Sequence, residues 1–400
     1  MSQAAGEKRA GLTLGLLALA LICEGFDLQI GNFAGADLMR SFNLTKPELA
    51  PFLSASLLGM LVGAPWIGRL GDRLGRRRVI VACTLFYGLA SLLCAAAGSF
   101  YELILLRLLT GVALGGALPN SLALASETAP ERFRTNAVAI IGIGISLGGI
   151  IAGSAAATWI DAGWRFLFIL AGVLPLAVAA LLWALLPESR AFEKTEATPR
   201  PPLTALFAHQ FRSVTPAIWI AFILVLMSVH LLNAWSPVLL RESGFSPRGA
   251  ALAATGYQAG AMTGSLAMVV LIGRRGWRQV MIFALLASAA LAATALSTGN
   301  TTLVTIGLIA TGFFVVGAQN GLNASTSAAY PTSLRATGLG WALGVGRLGS
   351  ILGPTAGGIA ASLGHGEAKS VLAMQVLPLL IAAAAAWLVA RQIRLMGEDS

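Results

Sequence analysis

Charge is what this chain has least of: only 11% of its 400 residues are charged, where a soluble domain carries roughly a quarter. With 56% hydrophobic residues and a mean hydropathy of +0.79, the composition excludes a water-soluble globular protein and points to a bilayer. Cysteine is almost missing. Cys23, Cys83 and Cys94 all fall inside apolar runs, which excludes a disulfide framework and any thiolate metal spacing and leaves them as packing residues. No convergent nucleophile, base or metal set is visible, so an enzyme is not expected. Long polar stretches are absent too, apart from 188–212, which argues against a receptor with a soluble domain. No ring of charges along a pore suggests a channel. The net charge of +10 invites nucleic acid as a partner, but the basic residues are scattered over short loops and form no single soluble face, so membrane topology explains them and no nucleic-acid partner is expected.

What the chain has in abundance is apolar runs long enough to cross a membrane. They lie near 11–34, 48–70, 79–98, 103–126, 136–158, 165–187, 213–239, 249–272, 279–298, 302–329, 336–361 and 370–392. The 46 glycines and 16 prolines fit this setting, since small residues let membrane helices approach closely. Lys8 and Arg9 before the first run imitate a secretory signal, but the run continues to about Asn32, too long for a signal core, and reads as helix one. With a cytoplasmic N-terminus, nineteen lysines and arginines fall on inner segments and six on outer ones. The positive-inside rule then places both termini in the cytoplasm of a multi-pass protein of the cell (inner) membrane.

The stretch 188–212, with Pro199, Pro201 and Pro202, reads as a cytoplasmic linker between an N-terminal six-helix bundle (1–187) and a C-terminal one (213–400). The halves repeat at a constant offset of 201: Arg73 on Arg274, Gly75 on Gly276, Thr110-Gly111 on Thr311-Gly312, Gly116 on Gly317, Pro130 on Pro331, Arg134 on Arg335, Gly148 on Gly349. Parallel repeats of this kind are one of the transporter plans. The charges inside the membrane break the repeat. Glu24 falls on Val225, Asp27 on Ser228, Arg107 on Leu308, and Arg347 on Ser146. A scaffold requirement tends to appear twice, so this asymmetry favours a role with substrate or protons.

The loop Gly68-Arg69-Leu70-Gly71-Asp72-Arg73-Leu74-Gly75-Arg76-Arg77-Arg78 resembles the G-x-x-x-D-R-x-G-R-R signature of the major facilitator superfamily. Glu127 with Arg134, and Pro187-Glu188-Ser189-Arg190, resemble its E-x6-R and P-E-S-R elements. The resemblance implies an all-α membrane protein: twelve transmembrane helices in two pseudo-symmetric six-helix bundles rocking about a midplane site, without an ATP-binding domain. Asp72, Arg73, Arg76, Glu127, Arg134, Glu188, Arg190 and Arg335 are then expected to form an ion-pair network that locks the halves when the inside is shut. Within helix one, Glu24-Gly25-Phe26-Asp27 resembles the D-G-x-D motif of aromatic acid:proton symporters, with Glu in place of the first Asp. That departure, with Leu118-Pro119-Asn120 and Gly346-Arg347-Leu348-Gly349, resembles the hydroxyphenylpropionate-type branch. Gly349-x3-Gly353-Pro354-x2-Gly357-Gly358 looks like the antiporter motif of drug:proton exchangers but sits in helix eleven instead of helix five, which tilts the reading toward symport.

The buried charges predict a mechanism. Arg347, near the midplane, and Arg107, nearer the outer end of helix four, are expected to hold a substrate carboxylate. For Arg107, snorkelling to the outer interface is the alternative. Asp27 and Glu24 are expected to carry the coupled proton, three residues apart on one helical face. Further pocket candidates are Asn120, Tyr257, Gln258, Gln319, Asn320 and Trp235, with Asn233, Asn323 and His230 beside them. Interhelical hydrogen bonding and ligand contact are both open for the amides. Phe26, Phe33, Phe313, Phe314 and Trp341 are candidates for stacking on an aromatic ring, or ordinary core. The expected function is import of a small aromatic or related carboxylate with protons, by alternating access, in a protein functional as a monomer. No cofactor is expected beyond the proton gradient. Proton-coupled efflux of amphipathic compounds is the alternative.

Overall fold

A computed structural model describes residues 2–129, 134–188, 202–273, 276–331, 333–363 and 367–398. These described residues form twelve long helices: α1 (Ser2–Phe42), α2 (Lys46–Leu74), α3 (Arg76–Ala96), α4 (Phe100–Thr128), α5 (Arg134–Thr158), α6 (Gly163–Leu185), α7 (Val214–Glu242), α8 (Pro247–Leu271), α9 (Gly276–Leu296), α10 (Thr301–Ala328), α11 (Arg335–Ser362) and, after the short α12 (Ala368–Ala373), α13 (Val376–Glu398). Among the described residues ten helices are long and apolar enough to cross a membrane. The other two long ones are α8 and α11, of 25 and 28 residues. At about 1.5 Å per residue both exceed a hydrocarbon core of about 30 Å. Their hydropathy is diluted by glycine, by Tyr257 and Gln258 in α8, and by Arg347 in α11. The protein is a multi-pass membrane protein.

Helices run further than the apolar pattern. The first apolar run fades near residue 34, yet α1 continues to Phe42, where Arg40 pairs with Asp37 one turn earlier at 3.3 Å. Polar residues end a hydropathy window without ending a helix, because backbone hydrogen bonds are indifferent to where the hydrocarbon stops.

The chain divides into two compact units, Met1–Thr45 with Pro51–Ala197, and Lys46–Ala50 with Thr198–Ser400. In the first, α1 packs on α5 and α6, and α3 on α4 and α6. In the second, α7 packs on α11 and α13, α10 on α8 and α9, and α9 on α13. Glycines set the closest of these approaches. A Cβ on Gly148 would fall on the carbonyl oxygen of Ile22, and one on Gly349 would fall on that of Ile223. Gly59, Gly63 and Gly111 meet the carbonyls of Leu108, Val112 and Ser56 in the same way. Gly260, Gly264 and Gly312 meet those of Ile309, Phe313 and Tyr257. Every one of these contacts recurs at the offset of 201 found in the sequence. The repeat is therefore a repeat of backbone-to-backbone contacts, the kind that only a residue without a side chain permits.

Because the obstructing atom is backbone and cannot rotate away, valine at Gly148 or Gly349 forces the helices apart. Each variant is expected to lose about 1–3 kcal/mol or more, seen as a lower apparent Tm of the detergent-purified protein. Valine at Gly142 or Gly344, where a Cβ would meet nothing within 4 Å, is expected to leave Tm nearly unchanged.

Candidate functional site

The acids of helix one face into the first unit. Asp27 and Glu24 are both buried, and α1 places them on the side turned toward α3, where Glu24 lies within electrostatic range of Cys83 and Tyr87. Asp27 is met from two helices. Arg107 Nη1, on α4, donates to Asp27 Oδ2 at 2.8 Å, and Arg107 Nη2 donates to the Asp27 main-chain carbonyl at 3.2 Å. Ser91 Oγ, on α3, donates to Asp27 Oδ1. Room for the guanidinium comes from Gly31, one turn past Asp27, where a Cβ would stand 3.2 Å from Arg107 Nη2. The ring of Phe168, on α6, lies 5.9 Å from the guanidinium carbon, within cation–π range.

The alternative reading of Arg107, a side chain snorkelling to the outer interface, does not fit its burial: it is 3% exposed. Helix α4 starts at Phe100, so Arg107 sits about 10 Å along it, and its side chain reaches the carboxylate instead of the surface. Ser91 was not singled out from the sequence. Nothing in the sequence sets it apart from Thr84 on the same helix, and hydroxyls at membrane depth commonly bond their own backbone, as Thr84 does at the Ile80 carbonyl.

The remaining first-unit candidates lie elsewhere. Asn120 donates to the Gly116 carbonyl at 2.8 Å and to the Ile67 carbonyl at 3.5 Å. It packs where a Cβ on Gly71 would fall on its side-chain oxygen. Its amide ties α4 to α2. At the end of the unit defined by the α2–α3 turn, Arg76 pairs with Glu127 at 2.8 Å and with Asp72 at 3.4 Å. The turn itself needs glycine: Gly75 has φ +96°, and a Cβ there would press on the Glu188 carboxylate. Glu188 accepts from the Arg77 backbone N–H at 3.0 Å, and the Arg77 guanidinium donates to the Trp183 carbonyl. Asp72, Arg76, Glu127 and Glu188 are thus brought together, and the bonds described join α2, α3, α4 and the end of α6 within one unit. Arg73 is exposed. The Arg134 side chain and Arg190 lie outside the described residues. Arg335 Nε donates to the Tyr330 carbonyl at 3.2 Å in the second unit.

In the second unit the pocket candidates are mostly spent on holding helices together. Trp235 is buried, and its Nε1 donates to the Pro354 carbonyl at 2.8 Å. It joins α7 to α11 beside Gly357, where a Cβ would strike its indole. Gln258 donates to Asn233 Oδ1 at 2.6 Å, and Asn320 to Ser265 Oγ at 2.7 Å. His230 Nδ1 lies 2.9 Å from the Leu226 carbonyl. Tyr257 is buried, and its hydroxyl makes no hydrogen bond among the described residues. Gln319 and Arg347 are half-buried, and Arg347 is within electrostatic range of His230. Of the aromatics, Phe26 and Phe33 are core. Phe313 stacks on Phe283 at 5.8 Å, and Trp341 on Trp219 at 6.3 Å.

A charge pair buried this deeply is costly to halve. Replacing Arg107 by Met leaves the Asp27 carboxylate without its cation and is expected to cost about 3–5 kcal/mol. Combining it with Asp27→Asn is expected to recover much of that loss, so the double variant melts above the single one in a thermal-unfolding comparison.

Comparison with known proteins places this geometry in context. The family model described as Major Facilitator Superfamily matches residues 17–248 and 218–395. The chain is 37% identical over 384 residues to the 3-(3-hydroxy-phenyl)propionate transporter of Escherichia coli strain K12, covering 95% of this chain and 94% of that one. It is 35% identical to the gallate transporter of Pseudomonas putida, covering 89% and 86%. It is 32% identical to the 4-hydroxybenzoate transporter of Pseudomonas aeruginosa, covering 92% and 90%. Among solved structures it is similar in fold to a bacterial homologue of the human lysosomal transporter Spinster in an inward-facing, occupied conformation. The TM-score is 0.76 at 18% identity, over 96% of this chain and 97% of that one. The motif loop, the glycine repeat and these matches lead to one assignment: the chain belongs to the major facilitator superfamily.

Proposed function

We propose that this protein is a proton-coupled secondary transporter that imports a small aromatic or related carboxylate by alternating access. The observation that carries the reading is the buried Asp27–Arg107 pair with its Ser91 hydrogen bond, an ionisable group held inside a bundle whose sequence repeat provides no counterpart. The relatives named above support the substrate class, because 3-(3-hydroxyphenyl)propionate, gallate and 4-hydroxybenzoate are all aromatic carboxylates. We place the protein in the cell (inner) membrane with both termini cytoplasmic, functional as a monomer. The proton gradient is its energy source, with no cofactor and no nucleic-acid partner.

Residue roles follow from chemistry. Arg347 holds the substrate carboxylate, for which a planar guanidinium offers a two-pronged fit. Asp27 carries the coupled proton, with Glu24 one turn away as its acidic neighbour. Arg107 is the element that couples the two events. Its five N–H groups can serve a second carboxylate, and a substrate that draws on them weakens the hold on Asp27. A buried carboxylate without its cation is stabilised by taking a proton. Substrate arrival and protonation then favour one another, without covalent chemistry. One proton moving with one monoanion carries no net charge; each further proton would add about 2.3 kcal/mol of drive per 100 mV.

Protein reconstituted in liposomes is expected to accumulate 3-(3-hydroxyphenyl)propionate, gallate or 4-hydroxybenzoate when the outside is made acidic, and to stop when the gradient is collapsed. Asp27→Asn should abolish uphill accumulation yet spare exchange of substrate across the membrane; unchanged accumulation rules Asp27 out as the carrier. Substrate moving outward against inward proton flow, with stabilisation by neutral or cationic amphiphiles alone in a thermal-shift screen, would establish efflux instead. Asp72→Asn is expected to slow transport while substrate affinity stays nearly intact.

A further inference from the structure

The two oxygens of the Asp27 carboxylate have unlike partners. Oδ2 faces Arg107 Nη1, and Oδ1 accepts from Ser91 Oγ. A guanidinium only donates; it has no acceptor and keeps its proton at any working pH. A proton placed on Oδ2 would therefore confront an N–H with an O–H. A serine hydroxyl donates and accepts, and it turns freely about its C–O bond.

Ser91 also has somewhere to turn. Serines in these helices bond the carbonyl four residues earlier, as Ser154, Ser228 and Ser265 do at 2.8, 3.1 and 2.7 Å. For Ser91 that carbonyl belongs to Tyr87. The other titratable groups around Asp27 are Cys23 and Glu24 on α1, Tyr87 and Cys94 on α3, and Arg107 on α4. The α5 residues 141–158 contain no ionisable side chain, and α6 presents the Phe168 ring. Among the described hydrogen bonds, Ser91 alone offers Asp27 a group able to reverse its role.

We infer that Ser91 is a positioning residue for the transported proton, directing it to Oδ1 of Asp27. In the ionised state Ser91 donates to Oδ1. When a proton bonds to Oδ1, the new O–H donates to Ser91 Oγ, and the serine hydrogen swings to the Tyr87 carbonyl. One O–H bond forms, none breaks within the protein, and Arg107 keeps every proton throughout. This rests on the reading of Asp27 as the proton carrier.

Alanine at Ser91 takes a donor from the carboxylate and an acceptor from the acid. The first loss is larger, since a hydrogen bond to an ionised group is roughly twice as strong as a neutral one. Arg107 does not make that loss good, because its Nη1 faces the other oxygen, Oδ2. The test is infrared pH titration of the purified, full-length protein in lipid, with the carboxylic C=O band assigned by its loss in Asp27→Asn. In Ser91→Ala the band should move to higher frequency, as the neutral acid loses its hydrogen-bond acceptor. Ser91→Thr, which keeps a hydroxyl, should restore the band. Coincident bands in wild type and Ser91→Ala overturn the role of Ser91 while leaving Asp27 as carrier. A wild type without any Asp27 band that titrates overturns both. If the alanine variant does not fold, Ser91→Cys, with its weak thiol donor, takes its place and should give the same displacement in smaller measure.

Discussion

An ionised carboxylate cut off from water has to be answered by donors from the protein, and the first unit is arranged around that demand at Asp27. Three helices distant in sequence converge on it: α1 carries the acid, α3 brings the Ser91 hydroxyl, and α4 brings the Arg107 guanidinium. Gly31 leaves space for the guanidinium, and Phe168 covers it. The second unit shows what the same position does without a charge. Ser228, the counterpart of Asp27 at the offset of 201, bonds its own helix at the Leu224 carbonyl and reaches Gln375 Oε1 at 3.0 Å. A neutral hydroxyl needs one local acceptor and one neighbour. A carboxylate needs a cation, and supplying one recruits another helix.

Glycine contacts make such an arrangement possible. In a medium as apolar as the side chains, helix association depends on close backbone packing and on hydrogen bonds between helices. Both are visible here in separate places. The glycine contacts repeat from unit to unit and set how near α1 comes to α5 or α7 to α11. The hydrogen bonds between helices differ: Trp235 to Pro354, Gln258 to Asn233 and Asn320 to Ser265 have no matching set among the described residues of the first unit, where Asn120 and the Asp27 cluster stand instead. One scaffold is used twice, and the polar side chains distinguish the copies.

The ion pairs near the α2–α3 turn show how far a motif can be read without coordinates. Its residue types suggest an ion-pair lock between the halves; the bonds described, from Arg76 to Asp72 and Glu127 and from the Arg77 N–H to Glu188, all lie within the first unit. Their weights differ from any reading by spacing. Asp72 is largely exposed and sits 3.4 Å from Arg76, so that pair is screened and weak. Arg76 and Glu127 are closer and better covered. Glu188 acts on backbone, receiving the Arg77 N–H at a turn that only Gly75 permits.

From its amino acids alone this chain declared a membrane protein with long apolar helices, a register of 201 between two halves, and acids and arginines at membrane depth that the register did not repeat. Those properties are local or periodic, and hydropathy, spacing and self-comparison capture them. Helix ends, the union of Asp27 with a residue 80 positions away, the part played by Ser91, and the spending of Asn120, Trp235 and Gln258 on neighbouring helices were decided only in three dimensions. The reason is physical: a side chain's residue type states what bonds it can make, but in a packed bundle the partner is whichever helix the backbone contacts bring within about 3 Å.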